Sequence, residues 1–169
     1  AAAKRKAAEQ EDAEEQYNLG VAYANGLGVE EDNIEAVKWF RKAANQGLAA
    51  AQYQIGRMYI NGYGVARDLF EAMNWYRKAA EQGYAEAQYN LGWMYAYGHN
   101  ELKNPVRAVV WYRKAADQGH ADAQYSLGYM YTTGRGVVED DEEAIKWFRK
   151  AMAQGNVAAK SALRRLGVQ

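Results

Sequence analysis

No cysteine occurs in the 169 residues, and proline occurs once, at Pro105. The first absence excludes disulfides, thiolate metal sites and thiol nucleophiles, while leaving the compartment undecided. Excess charge of either sign is missing too: 21 Lys and Arg stand against 21 Asp and Glu. A neutral chain has no bulk attraction to nucleic acid or anionic lipid, so no nucleic-acid partner is expected. No apolar run approaches the roughly 20 residues that span a bilayer, so no membrane insertion is expected. No signal peptide is visible, and the chain begins at Ala1 rather than methionine, as a mature or trimmed form would. His99 and His120 are the only histidines. Without cysteine or a HExxH spacing they read as surface side chains, and no metal is expected. No cofactor is expected either. Gly26-Leu27-Gly28, Gly62-Tyr63-Gly64 and Gly134-Arg135-Gly136 follow helical segments and lack the Lys-Ser/Thr of a phosphate loop, so turn chemistry explains them.

What is present is repetition. The motif W-[FY]-R-K-A stands at Trp39, Trp75, Trp111 and Trp147, 36 residues apart each time. A fixed period of that length means stacked supersecondary units. It divides the chain, read as a single repeat domain, into repeats 13–48, 49–84, 85–120 and 121–156, with partial repeats at 1–12 and 157–169.

Each repeat encodes a helical hairpin. In the fourth, Ala123, Leu127, Met130 and Tyr131 recur at helical spacing, and Gly134 follows where the helix ends, as Gly26, Gly62 and Gly98 do elsewhere. This is helix A, about 13 residues long. Helix B then opens on a capping-box-like pattern: Asp32 with Glu35, Asp68 with Glu71, Asp140 with Glu143, and Asn104 followed by Pro105 in the third repeat. Ala144, Trp147, Phe148 and Ala151 make one apolar stripe, and Gly155 closes the helix, as Gly47, Gly83 and Gly119 do. The pattern predicts nine or ten helices and no strand. The four recurring tryptophans are expected to be buried between their own helix A and the following repeat.

These residues carry a resemblance. A-x-A-Q-Y-x-L-G-x-M-Y-x-x-G-x-G-V, a short polar loop and E-A-x-x-W-[FY]-R-K-A-A-x-Q-G, seen over Ala49–Tyr84 and Ala121–Asn156, resemble the Sel-one-like repeat family, relatives of the tetratricopeptide repeat. The resemblance covers essentially the whole chain. It implies an all-α, right-handed α-solenoid with helix A lining a concave face and helix B a convex one, and an adaptor or scaffold role in protein complexes. Ala22 replaces the usual methionine in the first repeat. His99-Asn100-Glu101 replaces the x-Gly-Val of the loop in the third.

Both ends depart from the repeat. Arg164 takes the place of Gly20, Gly56, Gly92 and Gly128, glycines that let the paired helix approach. Residues 157–169 therefore read as a capping helix with a solvated outer face. Residues 1–12 align with the second half of a helix B, with Ala3 at the tryptophan position and Glu11 at the glycine position. A truncated repeat, a charged cap and a continuous run into the first helix A all fit.

The four repeats align with one another, and function is sought where they vary. At about 100° per residue, four helix A positions fall within about 60° of arc, opposite the recurring face. They read Glu14, Asn18, Val21, Asn25; then Ala50, Gln54, Arg57, Asn61; then Glu86, Asn90, Trp93, Tyr97; then Asp122, Ser126, Tyr129, Thr133. Trp93 is the one tryptophan outside the recurring motif. With Tyr97, Tyr129 and Arg57 it makes an aromatic and cationic patch, flanked by Asn18, Gln54, Asn90 and Asn61, amides able to bond an extended backbone. Asn18, Val21, Gln54, Arg57, Asn61, Asn90, Trp93, Tyr97, Ser126, Tyr129 and Thr133 are thus the candidate surface for a protein or peptide partner. The competing reading has Trp93 packed under a neighbouring repeat and the other positions merely solvated. The Arg-Lys pairs of helix B read as a solvated basic ridge offset by Glu35, Glu71 and Glu143, and Val110 as an exposed apolar spot on the same side.

No catalytic residues are expected, and the chain is not read as an enzyme. The resembled family includes disulfide-linked members associated with β-lactam binding, but their cysteines and a Ser-x-x-Lys motif are missing here. The other alternative is a structural spacer or engineered array without a ligand. The varied ninth helix A position argues against a pure consensus array.

Overall fold

Two capped amphipathic segments per repeat become two helices per repeat. The computed structural model describes residues 2–169, and every side chain among them except Lys4 and Asn100. Ala1, at the head of the expected partial repeat, lies outside the described residues. Those residues form ten α-helices, one 3-10 turn and no strand. Helix A of the four repeats is α2 (Ala13–Asn25), α4 (Ala49–Asn61), α6 (Ala85–Tyr97) and α8 (Ala121–Thr133). Helix B is α3 (Asn33–Asn45), α5 (Leu69–Glu81), α7 (Pro105–Asp117) and α9 (Asp141–Ala153). The ends are α1 (Ala2–Glu9) and α10 (Val157–Arg165). The chain divides into two compact units, one ending at Tyr84 and containing α1 to α5, the other Ala85–Gln169 with α6 to α10. Within each unit every helix packs on the next in sequence.

Helix B starts where a side chain can take up the orphan amides of its first turn. Asp32, Asp68 and Asp140 each accept from two backbone N–H groups of that turn, and Asn104 accepts from the Arg107 amide. Each cap is worth about 1 kcal/mol. The other half of the capping box is closed differently from its peptide form. The N–H of the cap residue itself donates to a helix A carbonyl: Asp32 to Tyr23 at 2.9 Å, Asp68 to Tyr59 at 3.0 Å, Asn104 to Tyr95 at 2.8 Å and Asp140 to Tyr131 at 3.0 Å. Glu35 and Glu143 are thereby released to pair with Lys38 and Lys146, at 2.8 and 3.0 Å.

The two aromatic residues of W-[FY] divide the packing between them. The second ring lies against the helix A glycine of its own hairpin. A methyl group on Gly56 would sit 2.7 Å from the Tyr76 ring, and one on Gly128 2.7 Å from Phe148. The tryptophan, about 100° round the helix, turns the other way. Trp39 packs with Leu19 of its own helix A and Ala8 of α1, and Trp75 joins the core built by α3 and α4. In the first unit the recurring tryptophan therefore faces the preceding helix B, not the following repeat. Trp39, Trp75 and Trp147 are buried, whereas Trp111 is only partly covered.

A ladder of glutamines ties hairpin to hairpin. Gln52, buried on α4, donates to the Ala44 carbonyl at the end of α3 (3.2 Å) and accepts from Gln82 at the end of α5 (2.9 Å). Gln82 also donates to the Gly47 carbonyl at 2.8 Å. Gln16 with Gln46 and Gln124 with Gln154 repeat the pattern, each pair 2.9 Å apart. Every rung satisfies a buried amide and a helix-end carbonyl that would otherwise cost about 1–3 kcal/mol unpaired.

At the start of the chain α1 does not run on into α2. Glu11 breaks it with φ of 69°, where Gly47, Gly83, Gly119 and Gly155 adopt 90–93°. Its carbonyl accepts from Gln46 at 2.9 Å, so a ladder contact holds a non-glycine residue in a conformation that costs about 1–2 kcal/mol. In the third repeat the altered loop forms the 3-10 turn Asn100–Leu102, and Gly98, unlike Gly26, Gly62 and Gly134, is not left-handed. At the other end Arg164 is exposed.

Candidate interaction surface

Much of the charge on helix B is engaged in packing. Lys42, Lys78, Lys114 and Lys150 lie over the rings of Trp39, Trp75, Trp111 and Trp147, 4.3–4.9 Å from the centroids. Arg41 donates to the Tyr59 hydroxyl at 2.9 Å, and Arg113 to that of Tyr131. The expected basic ridge is therefore partly a set of cation–π lids and Arg–Tyr bonds between neighbouring helices. Val110 stands exposed beside buried Val109.

The variable helix A arc is also open to solvent. Of the candidate residues, Asn18, Arg57, Asn61, Trp93, Tyr97, Tyr129 and Thr133 are exposed, and Val21, Gln54, Asn90 and Ser126 are partly exposed. Trp93, Tyr97 and Tyr129 keep 50%, 48% and 37% of their surface in water. Asn18, Val21, Gln54, Arg57 and Asn61 lie in the first unit, the other six in the second.

In the first unit Val21, Gln54 and Arg57 line one hollow of about 520 Å³, together with Tyr17, Asn25 and Tyr63. Arg57 lies 6.0 Å from the Tyr53 ring centroid, with a long contact of 3.5 Å to Gln54 Oε1. Asn18 and Val21 also edge a hollow of about 750 Å³ against Arg5, Tyr23 and Leu27. Asn61 spends an amide hydrogen on the Arg57 carbonyl (2.9 Å), and Thr133 donates to Tyr129 (2.8 Å), so this helical position is anchored to its own backbone.

In the second unit Trp93 and Tyr97 form a tilted ring pair, centroids 5.4 Å apart. Arg135 extends the row. Its guanidinium stands 5.5 Å from the Tyr97 centroid and donates to the Ala96 carbonyl at 3.0 Å. The arc does not contain Arg135, because it belongs to the loop after α8 and helical rotation says nothing about loops. Its repeat position does vary (Leu27, Tyr63, His99, Arg135), the same signal that singled out Trp93. Beneath the row, the Tyr112 hydroxyl is buried without a partner in hydrogen-bond geometry. Burial pushes its ionisation well above the usual tyrosine range, and Ser126 and Arg135 nearby only partly counter that. Tyr89 is also raised, chiefly by burial.

His120 differs from its surface assignment, whereas His99 is exposed. The His120 side chain caps α8, its Nδ1 accepting from the Ala123 amide at 3.1 Å, and its Nε2 lies 3.0 Å from Glu86 Oε1. Its ring stacks on Tyr89 at 4.8 Å. That is a structural role for a residue standing where Leu48, Tyr84 and Asn156 precede the other helices. Among the described residues no three His, Asp or Glu side chains gather as metal ligands, and no helix is long and apolar enough to cross a membrane.

The Sel1 repeat matches residues 16–48, 49–84, 85–120 and 121–156. Among solved structures, c5321, a protective antigen of uropathogenic Escherichia coli with an SLR fold, is 37% identical with a TM-score of 0.92 over 96% of this chain. A Sel1 repeat protein from Oxalobacter formigenes is 40% identical with a TM-score of 0.88, also over 96%. The chain spans 35% and 47% of the length of those two proteins. Cysteine rich protein B of Helicobacter pylori is 25% identical over 75% of this chain and 96% of its own, with a TM-score of 0.59. No curated protein sequence matches significantly. With four tandem matches and an all-helical solenoid architecture shared with solved Sel1 repeat proteins, the chain belongs to the Sel1 repeat family.

Proposed function

We propose that this chain is a non-enzymatic adaptor that binds a peptide or partner segment on the variable face of its A helices. Sel1 repeat proteins are generally protein-interaction modules and typically scaffolds rather than enzymes. The observation that carries the reading is Trp93, half exposed on a helix whose opposite face is locked into the core, with Tyr97 against it. An aromatic of this kind offers a large area for burial at little entropic cost, the usual composition of an interface anchor. Amide side chains on the same arc, such as Asn90, can bond an extended backbone.

The test is affinity capture with the intact chain and with a Trp93→Ala, Tyr129→Ala variant whose helicity and melting are unchanged. Partners held by the intact chain and lost from the variant support the reading. Equal capture by both moves the site away from this face.

A further inference from the structure

We propose that the second unit recognises an acidic segment of a partner protein, one in which Asp or Glu stands within a few residues of an aromatic or aliphatic side chain. Trp93 and Tyr97 take the apolar side chain and Arg135 takes the carboxylate. This rests on the interaction-module reading and names the partner's chemistry.

Among the described residues Arg135 belongs to no ion pair. It is held in place by a helix-end carbonyl and by the face of Tyr97. That fixes its plane while engaging only part of a five-donor fork. A guanidinium stacked on an aromatic and ordered in advance is suited to a carboxylate, which can accept two parallel bonds from it. The acidic side chains at the opposite ends of the same helices already have partners. Glu86 meets His120 Nε2 at 3.0 Å, and Asp122 accepts from Asn156 at 3.1 Å. Glu101 and Glu139 follow in the loops after α6 and α8, but the charge stacked on the aromatic pair itself is that of Arg135. The feature is local to this repeat, since Leu27, Tyr63 and His99 stand at the equivalent position elsewhere.

A random decapeptide library displayed on phage is panned on the intact chain, and selected peptides are measured in solution against the intact chain, Arg135→Gln, Arg135→Lys and Trp93→Ala. The expected result is enrichment of Asp or Glu within about three residues of an aromatic or aliphatic residue. Affinity should fall about tenfold or more in Arg135→Gln, as loss of a charge-assisted bond implies. Arg135→Lys should lose less, because it keeps the charge without the fork. Peptides that need Trp93 but show no acidic enrichment, or bind Arg135→Gln unchanged, overturn the acidic specificity and leave the interaction module standing. A library that yields no Trp93-dependent binder overturns both.

Discussion

Trp147 and Trp93 are the same side chain in the same unit, one 7% exposed and the other 50%. Trp147 sits on helix B at a position every repeat fills with tryptophan, and Lys150 lies over it. Trp93 sits on helix A at a position filled elsewhere by Val21, Arg57 and Tyr129. In an array where each unit must bury its face against a neighbour, a position that packs meets the same surroundings in every repeat and keeps the same residue. A position facing water meets no such constraint. Among the five tryptophans burial follows recurrence, with Trp111 the least covered of the recurring four and Trp93 exposed.

The largest test of that contrast is removal of a recurring tryptophan. Trp75→Ala should cost about 3–5 kcal/mol in chemical denaturation, because the ring joins the core of α3 and α4 and leaves a cavity. A loss below about 1 kcal/mol would mean that recurrence here does not report packing.

Next is the glycine opposite the second ring. Gly56→Ala places a methyl group 2.7 Å from buried Tyr76, so α4 and α5 must part or the ring must leave its rotamer. A destabilisation of about 1–3 kcal/mol is expected by thermal melting, despite alanine's better helix propensity. A stabilised variant would show that the hairpin has room to spare.

These two features were legible in the sequence because they are local or periodic. The caps at Asp32, Asp68, Asn104 and Asp140 and the glycine turns need only a few neighbouring residues to be recognised, and the 36-residue period supplies the rest. What the chain did not disclose were partnerships across a distance. Gln52 and Gln82 recur visibly, yet that each bonds the other across 30 positions depends on how hairpins stack. The side toward which Trp39 turns depends on the same stacking. Arg135 escaped because a rotation angle orders residues on a helix and cannot place a loop side chain over Tyr97.

A smaller effect is expected at Tyr112, a position filled by phenylalanine at Phe40 and Phe148 and by tyrosine at Tyr76. Its hydroxyl is buried without a partner, so Tyr112→Phe should stabilise the fold by about 1 kcal/mol in urea titration. The pH dependence follows from burial raising the folded ionisation above the unfolded value. Stability linked to the neutral hydroxyl is intact below about pH 10, the unfolded value, and is lost as pH climbs through the folded value. Tyr112→Phe should therefore flatten the alkaline loss of stability, with Tyr89 still contributing to what remains. An unchanged alkaline limb would mean that the hydroxyl finds solvent.

The smallest expected effect on stability is at Trp93 itself. Truncation to alanine removes a ring that is half in water, contacts Tyr97 at 5.4 Å and fills no core position. Half-burial of an aromatic is worth far less than the full transfer of its roughly 150–250 Å², and alanine returns some helix propensity to α6. The net change should stay within about 0.5 kcal/mol, as at surface sites free of special features. Parallel melts of Trp93→Ala and Trp147→Ala decide the matter. A large gap between them, with Trp93→Ala the mild one, separates the packing tryptophan from the one that fills no core position. If Trp93→Ala destabilises as much as Trp147→Ala, Trp93 is a core residue and the helix A face loses its proposed anchor.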